Sequence, residues 1–303
     1  MTTTLMPEAP TTAPTPTTNR PLREAATFVA LVTTMILAAA FALPHADIVQ
    51  LLTMVSPLVA VVLITFTRTP RGQRKKLWGS LGLRRPGLRS WPAAFAVSAT
   101  IVFVIPYLAA DLLGSIAFKP LGTSVMGWVN GSTNLAIAIV IVTLLALTEE
   151  IGWRGYLLPR VQTLVSKRKA ALVVGFIHAM FHVPLMVFTT TYNNVGSRWV
   201  VVPTVVVTIT AAGVFYAWLK DRSGSVWPVS LAHGTVNVLI DGTPYVVVLA
   251  PVAFAHTATE SGLVTLAATI AVAGLLLVRG RTWDVSTGAA CQVRSVEGGT
   301  SLR

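Results

Sequence analysis

Two adjacent carboxylates, Glu149 and Glu150, close a long apolar run from Leu135 to Leu147, and Arg154 follows four residues after the second. An ionisable group at membrane depth costs at least about 2.5–3.5 kcal/mol. A chain keeps such groups where they are paired, line a wet cavity or do chemistry. Arg154 falls on the helical face of Glu150 with the acid first, the favourable order. Glu149 is turned about 100° away and has no helical partner of its own. One held carboxylate beside one free carboxylate is the asymmetry a general base needs.

Imidazoles recur in two later apolar segments. His178 and His182 are four apart in Gly-Phe-Ile-His-Ala-Met-Phe-His-Val-Pro and share a helical face. His233 and Asn237 are four apart in His-Gly-Thr-Val-Asn. Each feature has a plainer reading. Glu150 and Arg154 read equally as a structural pair closing a helix end, His178 as a hydrogen bond between helices, and His233 with Asn237 as interhelical glue. Together, three segments carrying acid, imidazole or amide groups in apolar surroundings point to one composite site.

The elements that must position these groups are membrane helices. The chain has 303 residues, 53% hydrophobic and 11% charged, with a mean hydropathy of +0.70. A soluble protein carries roughly 25% charged residues. The expected fold class is all-α, a polytopic transmembrane bundle with spans at 24–43, 47–67, 91–114, 131–150, 170–190, 199–219, 225–241 and 260–279. Residues 1–20, rich in Thr and Pro, and 281–303 read as disordered tails around a membrane domain at 21–280.

The net charge of +12 follows the loops. With both termini cytoplasmic, the inner segments hold Arg20, Arg23, the cluster from Arg68 to Arg89, Arg160, the run Lys167 to Lys169, Lys220 and Arg222, whereas the outer loops hold Lys119 and Arg198. This is the positive-inside pattern; it accounts for the basic charge without a nucleic-acid partner and leaves lipid as the surroundings. The Glu pair then lies near the inner end of its span, with His233 about 12 Å and His182 about 18 Å in from that side. Those depths suit one polar cavity opening toward the basic side. Asp111 and Asp241 read as interfacial, and Tyr192, Trp199 and Trp227 as an aromatic belt. Cys291 is the single cysteine, which excludes an internal disulfide or a Cys-based metal cluster.

Glu149-Glu150-Ile-Gly-Trp-Arg154-Gly-Tyr-Leu resembles the first motif of the CPBP intramembrane proteases, the CAAX-protease and bacteriocin-processing family. Phe181-His182-Val-Pro184 is similar to the second motif and His233 to Asn237 to the third. The resemblance covers roughly 80–240. It departs at His178, where the family often carries Phe. It implies an endopeptidase cutting a peptide or protein substrate in the membrane, near the cytoplasmic side on the topology above; the Ala-, Val- and Arg-rich composition suits a bacterial cell membrane, and prenylated CAAX and bacteriocin-like substrates both stay open. In the leading scheme Glu149 activates water with His182 beside it, Glu150 and Arg154 hold the site, and His233 and Asn237 face the oxyanion. The variant scheme is a zinc held by His182, His233 and Glu149, with His178 as a further ligand. The metal-free scheme is preferred, because His178-Ala-Met-Phe-His182 lacks the internal Glu of the zinc-protease motif. The competing class is a transporter or immunity protein that binds a peptide in the same cavity without cutting it, although the two halves show no repeat of the site motifs.

Overall fold

In the computed structural model, residues 19–114, 116–118, 125–192, 196–242, 247–249 and 256–283 are described. Helices α1 (Arg20–Ala42) and α2 (Ile48–Thr67) form a hairpin, and a short basic helix α3 (Arg71–Ser80) follows at the surface. The next span, Leu88–Leu112, is built from a 3₁₀ turn, α4 (Trp91–Ala99), a π-helical stretch (Thr100–Val104) and α5 (Ile105–Leu112). Helix α6 (Val125–Glu150) continues through a second π-helical stretch (Ile151–Leu157) into α7 (Leu158–Val161). Then come α8 (Lys167–Phe188), α9 (Arg198–Ser223), α10 (Trp227–Asp241) and α11 (Leu263–Arg279).

Seven helices among the described residues are long and apolar enough to cross a bilayer. The eighth expected span is α10, whose 15 residues reach only about 22 Å. The chain is an integral membrane protein, and its burial pattern explains why. Phe66, Val140, Phe176 and Val278 are exposed on the outside, while Glu149, Glu150, Arg154 and His178 are buried. Lipid solvates the first set, and only partners within the bundle can satisfy the second.

The fold class is the one expected, with one small addition. Ile116–Phe118 and Val247–Leu249 pair as an antiparallel ladder with Ala117 opposite Val248. The stretch 242–257, outside the eight expected spans, has a strand at 247–249; residues 243–246 and 250–255 lie outside the described residues. So do tail residues 1–18 and 284–303, although Arg20 already belongs to α1 and Arg281–Trp283 form a 3₁₀ turn.

Both π stretches precede a proline, Pro106 and Pro159. A proline lacks the N–H that bonds the carbonyl four residues back, and its ring crowds that carbonyl. Here those carbonyls belong to Val102 and Gly155, inside the widened turns. A wider turn accommodates the proline without ending the helix, and π turns of this kind concentrate at functional sites.

The core beneath the site is aromatic. Phe28 of α1 meets the Trp153 ring edge-on at 5.4 Å and lies 5.4 Å from Tyr156. Gly152 permits this packing, since a Cβ there would sit 2.5 Å from Pro57 and 2.9 Å from Phe28.

Candidate active site

The Glu pair is not at the end of its helix. The chain stays helical from Glu150 to Val161, which moves the pair about 16 Å inward from that end. Glu150 and Arg154 are wholly buried and Glu149 is 2% exposed. Arg154 Nη1 donates to both Glu150 oxygens, at 2.9 and 3.1 Å, so the spacing read from the sequence does form a pair. His233 of α10 meets the same carboxylate through Nδ1 at 2.9 Å. A carboxylate paired with a guanidinium accepts only, so His233 Nδ1 carries its hydrogen and Nε2 keeps a lone pair in the neutral ring.

Glu149 has partners that were not expected. Trp153, four residues on, donates Nε1–H to Glu149 Oε2 at 3.4 Å. His178 of α8 lies between Arg154 and Glu149. Its Nδ1 is 3.2 Å from Arg154 Nη1 and its Nε2 is 3.2 Å from Glu149 Oε2. Arginine can only donate, so Nδ1 accepts and the proton sits on Nε2, which donates to Glu149. This is the interhelical hydrogen bonding that was the plainer reading of His178. The free carboxylate of the sequence reading is thus a carboxylate aimed by two N–H donors on one oxygen.

A glycine crossing brings these helices together. A Cβ on Gly175 of α8 would stand 2.6 Å from the Thr210 carbonyl, and one on Gly213 of α9 would stand 2.5 Å from Gly175 Cα. Three residues after each glycine comes a site ring, His178 and Tyr216. The Arg154 guanidinium lies 4.9 Å from the Tyr216 ring centre, and Tyr216 stacks on His233 at 5.6 Å. On the other wall a Cβ on Gly234 would collide with Thr143 at 2.7 Å, so α10 rides directly on α6 beside His233.

These groups border a cavity of about 230 Å³ lined by Glu149, His178, His182, Tyr216, His233 and Asn237, among others. All three segments flagged in the sequence therefore converge. The direction is the opposite of that expected. The cavity runs past Gln50 near the start of α2, Thr191 and Tyr192 after α8, Asp241 at the end of α10 and Glu260 before α11. Those positions all lie at the helix ends away from the basic loops.

Tyr192, expected in the aromatic belt, is a wall residue. It stacks on His182 at 5.4 Å and donates its hydroxyl to Glu260 Oε2 at 2.5 Å. Burial, and then the Glu260 charge, hold this phenol well above the usual tyrosine range. Asp241 sits at a helix end as expected and also lines the cavity. Asp111 and Trp199 are exposed at helix ends, as interfacial residues should be, whereas Trp227 donates to the Leu83 carbonyl at 3.0 Å. His182 Nδ1 is a buried ring nitrogen with no hydrogen-bond partner among the described residues.

The donor set limits metal binding. Ligand atoms of Glu149, His178 and His182 lie within 4.8 Å of one another; His233 is outside this group. His178 does not fit as a ligand. To free the Nε2 lone pair its proton would move to Nδ1, which faces the Arg154 donor. Glu149 and His182 alone are fewer than the three protein ligands of a catalytic zinc.

Sequence reasoning missed Trp153, Tyr216, Tyr192 and Glu260. The four-residue step from Glu149 to Trp153 was visible in the sequence, as was the proline behind each π turn. Nothing in the sequence joined Tyr192 to Glu260.

Residues 130–239 match the family described as Type II CAAX prenyl endopeptidase Rce1-like. A protein named CAAX prenyl protease 2, from Methanococcus maripaludis, is 23% identical over 136 residues, 45% of this chain. The match spans about half the length of that relative, 49%. The family match contains every residue from Glu149 to Asn237, and both comparisons bear out the resemblance to CPBP and CAAX proteases read from the motifs.

Proposed function

We propose that this chain is an intramembrane endopeptidase that hydrolyses a peptide bond with a water activated by Glu149. The observation that carries the reading is the pair of N–H donors, from His178 and Trp153, on Glu149 Oε2. They fix the carboxylate and leave Oε1 for water in the cavity. Glu149 takes a proton from that water, and the hydroxide attacks the substrate carbonyl. His182 Nδ1, otherwise unpartnered, orients the water. The Asn237 amide donates to the oxyanion, a role often worth a few kcal/mol. His233 serves there too when it carries a second proton. Glu149 then hands its proton to the departing amine, which closes the proton balance. Glu150 and Arg154 hold His233 and His178 in place and do not touch the reacting atoms.

This scheme needs no metal, and the engagement of both His178 nitrogens favours it over zinc. By the positive-inside rule the basic loops and both termini face the cytoplasm, and the composition suits a bacterial cell membrane. The substrate is a peptide or protein reaching into the bundle, of the prenylated CAAX type or a bacteriocin-like precursor. The test is mass spectrometry of candidate peptides incubated with purified wild type and with Glu149→Gln. New termini with wild type alone support the peptidase. Binding without new termini in either case points to a peptide-binding protein, and equal cleavage by the variant removes Glu149 from the chemistry.

A further inference from the structure

A second cavity lies at the basic end of the bundle, apart from the Glu149 site. It measures about 500 Å³ and is enclosed by the start of α1, the end of α2 and the π stretch after α6. Arg20, Arg23, Arg68 and Glu24 are its charged lining. Glu24 is already neutralised: Oε1 accepts from Arg20 Nε at 2.8 Å and Oε2 from Arg160 Nε at 2.7 Å. Arg23 and Arg68 are exposed and form no ion pair among the described residues. Two guanidinium groups without a carboxylate therefore border one cavity.

Other donors there are unused. Tyr156 lines the cavity and is 1% exposed, and its hydroxyl makes no hydrogen bond among the described residues. A buried hydroxyl left without a bond is costly, and an acceptor on a ligand removes that cost. The Arg160 guanidinium lies 3.4 Å from the centre of the same ring, which adds positive charge behind this wall. Asn19 also lines the cavity, and it starts α1 without a side-chain cap. The N–H groups of that first turn lack a side-chain acceptor, an arrangement that attracts anions. Guanidinium forks, a hydroxyl and a helix start are all donors, and together they suit the oxygens of a phosphate.

The cavity sits where the chain leaves the bilayer. Arg20 opens the span Arg20–Ala42, and Arg68 directly follows the span Ile48–Thr67. Its lining includes the buried Ile64, and Leu22 and Leu63, next in sequence to Arg23 and Ile64, are exposed. An occupant there meets donors at one end and lipid-facing apolar side chains at the other. By the positive-inside rule this is the cytoplasmic leaflet, whose anionic lipids are drawn to basic segments. We propose that this cavity binds the phosphate of one anionic phospholipid of the inner leaflet, with Arg23, Arg68 and the Tyr156 hydroxyl as its donors. The lipid fastens the π stretch that carries Arg154 to the ends of α1 and α2. The proposal is independent of the peptidase reading.

The test is native mass spectrometry of the purified full chain in neutral detergent, titrated with phosphatidylglycerol or with phosphatidylcholine. Wild type should retain one phosphatidylglycerol at concentrations where phosphatidylcholine is lost. Arg23→Gln/Arg68→Gln should bind it about ten-fold more weakly, the loss expected when two cations are withdrawn from one phosphate. Both side chains are exposed, so this variant should melt as wild type does in phosphatidylcholine. Tyr156→Phe should weaken retention about three-fold or more, the share of one hydrogen bond. Lys75→Gln/Lys76→Gln removes the same charge from exposed positions of α3 outside the cavity and should bind as wild type does. Equal weakening there would mean a diffuse basic face and overturn the site. Undiminished retention in the arginine variant or in Tyr156→Phe, or equal retention of phosphatidylcholine, overturns it as well. Soluble glycerol phosphate should displace the lipid only far above the concentration at which the lipid itself binds; displacement at equal concentration overturns the lipid as the source of the phosphate.

Discussion

His178 of α8 donates Nε2–H to Glu149 Oε2 of α6 across 3.2 Å, and it does so because its other nitrogen is occupied by Arg154. The imidazole therefore fixes the direction of the acid. Replacing it with Phe deletes both bonds and keeps much of the volume. A hydrogen bond to a charged group contributes about 1.5–3 kcal/mol, so kcat should fall by about ten-fold or more with KM little changed. His178→Gln, which supplies a donor and an acceptor, should recover part of the rate. An unchanged kcat in His178→Phe would remove the positioning role.

The Glu150–Arg154 pair has no exposed surface, so losing either member strands a buried charge. Breaking a buried pair typically costs about 3–5 kcal/mol. Glu150→Gln and Arg154→Met should each lower the thermal midpoint in detergent markedly. The double variant should be less damaged than the sum of the two, because it leaves no stranded charge. Strict additivity in the melts would contradict the coupling.

These two results also mark what could be read from sequence. The Glu150–Arg154 pairing lies within one helix, and a spacing of four reports it directly. His182, His233 and Asn237 were found because polar groups stand out in apolar spans. The partners of Glu149 were harder. His178 reaches it from another helix, and sequence periodicity shows which face a residue occupies, not what that face meets. The continuation of α6 past Glu150 was lost because the charges looked like an end, when Pro159 had only widened the turns. The cavity direction was lost because it depends on how residues 81–83 fold back under the site, a contact between segments about 140 residues apart.

The glycine crossing predicts a steric effect. Alanine at Gly175 places a Cβ 2.6 Å from a backbone carbonyl, which cannot rotate away. Overpacking of this kind costs about 1–3 kcal/mol. Gly175→Ala should therefore lower stability. It should also slow cleavage, since α8 carries both His178 and His182. A melt and a rate equal to wild type would show that α8 and α9 separate freely.

Metal removal distinguishes the two chemical schemes. With His178 committed to Arg154 and Glu149, the enzyme should keep full activity after exhaustive chelation, and elemental analysis of the active fraction should find far less than one zinc per chain. Loss of activity restored by added zinc would favour a centre built on His182, Glu149 and His233, and would require the His178 bonds to rearrange.

Tyr192 gives a test by pH. Its hydroxyl is buried against Glu260, which raises its pKa above the unfolded value near 10. A group with a raised folded pKa contributes stability that is fully present below the unfolded pKa and is lost as pH rises through the folded one. The wild-type melting temperature should thus decline above about pH 10, the range where an unfolded tyrosine ionises. Tyr192→Phe removes both the hydrogen bond and the titration. Near neutral pH it should melt lower, by the ~1.5–3 kcal/mol of a bond to a charged acceptor. It should also lose less on going alkaline than wild type does. The ring keeps its place against His182, so cleavage at neutral pH should change less than in His178→Phe. Parallel alkaline declines in wild type and Tyr192→Phe would mean that the phenol is not held by Glu260.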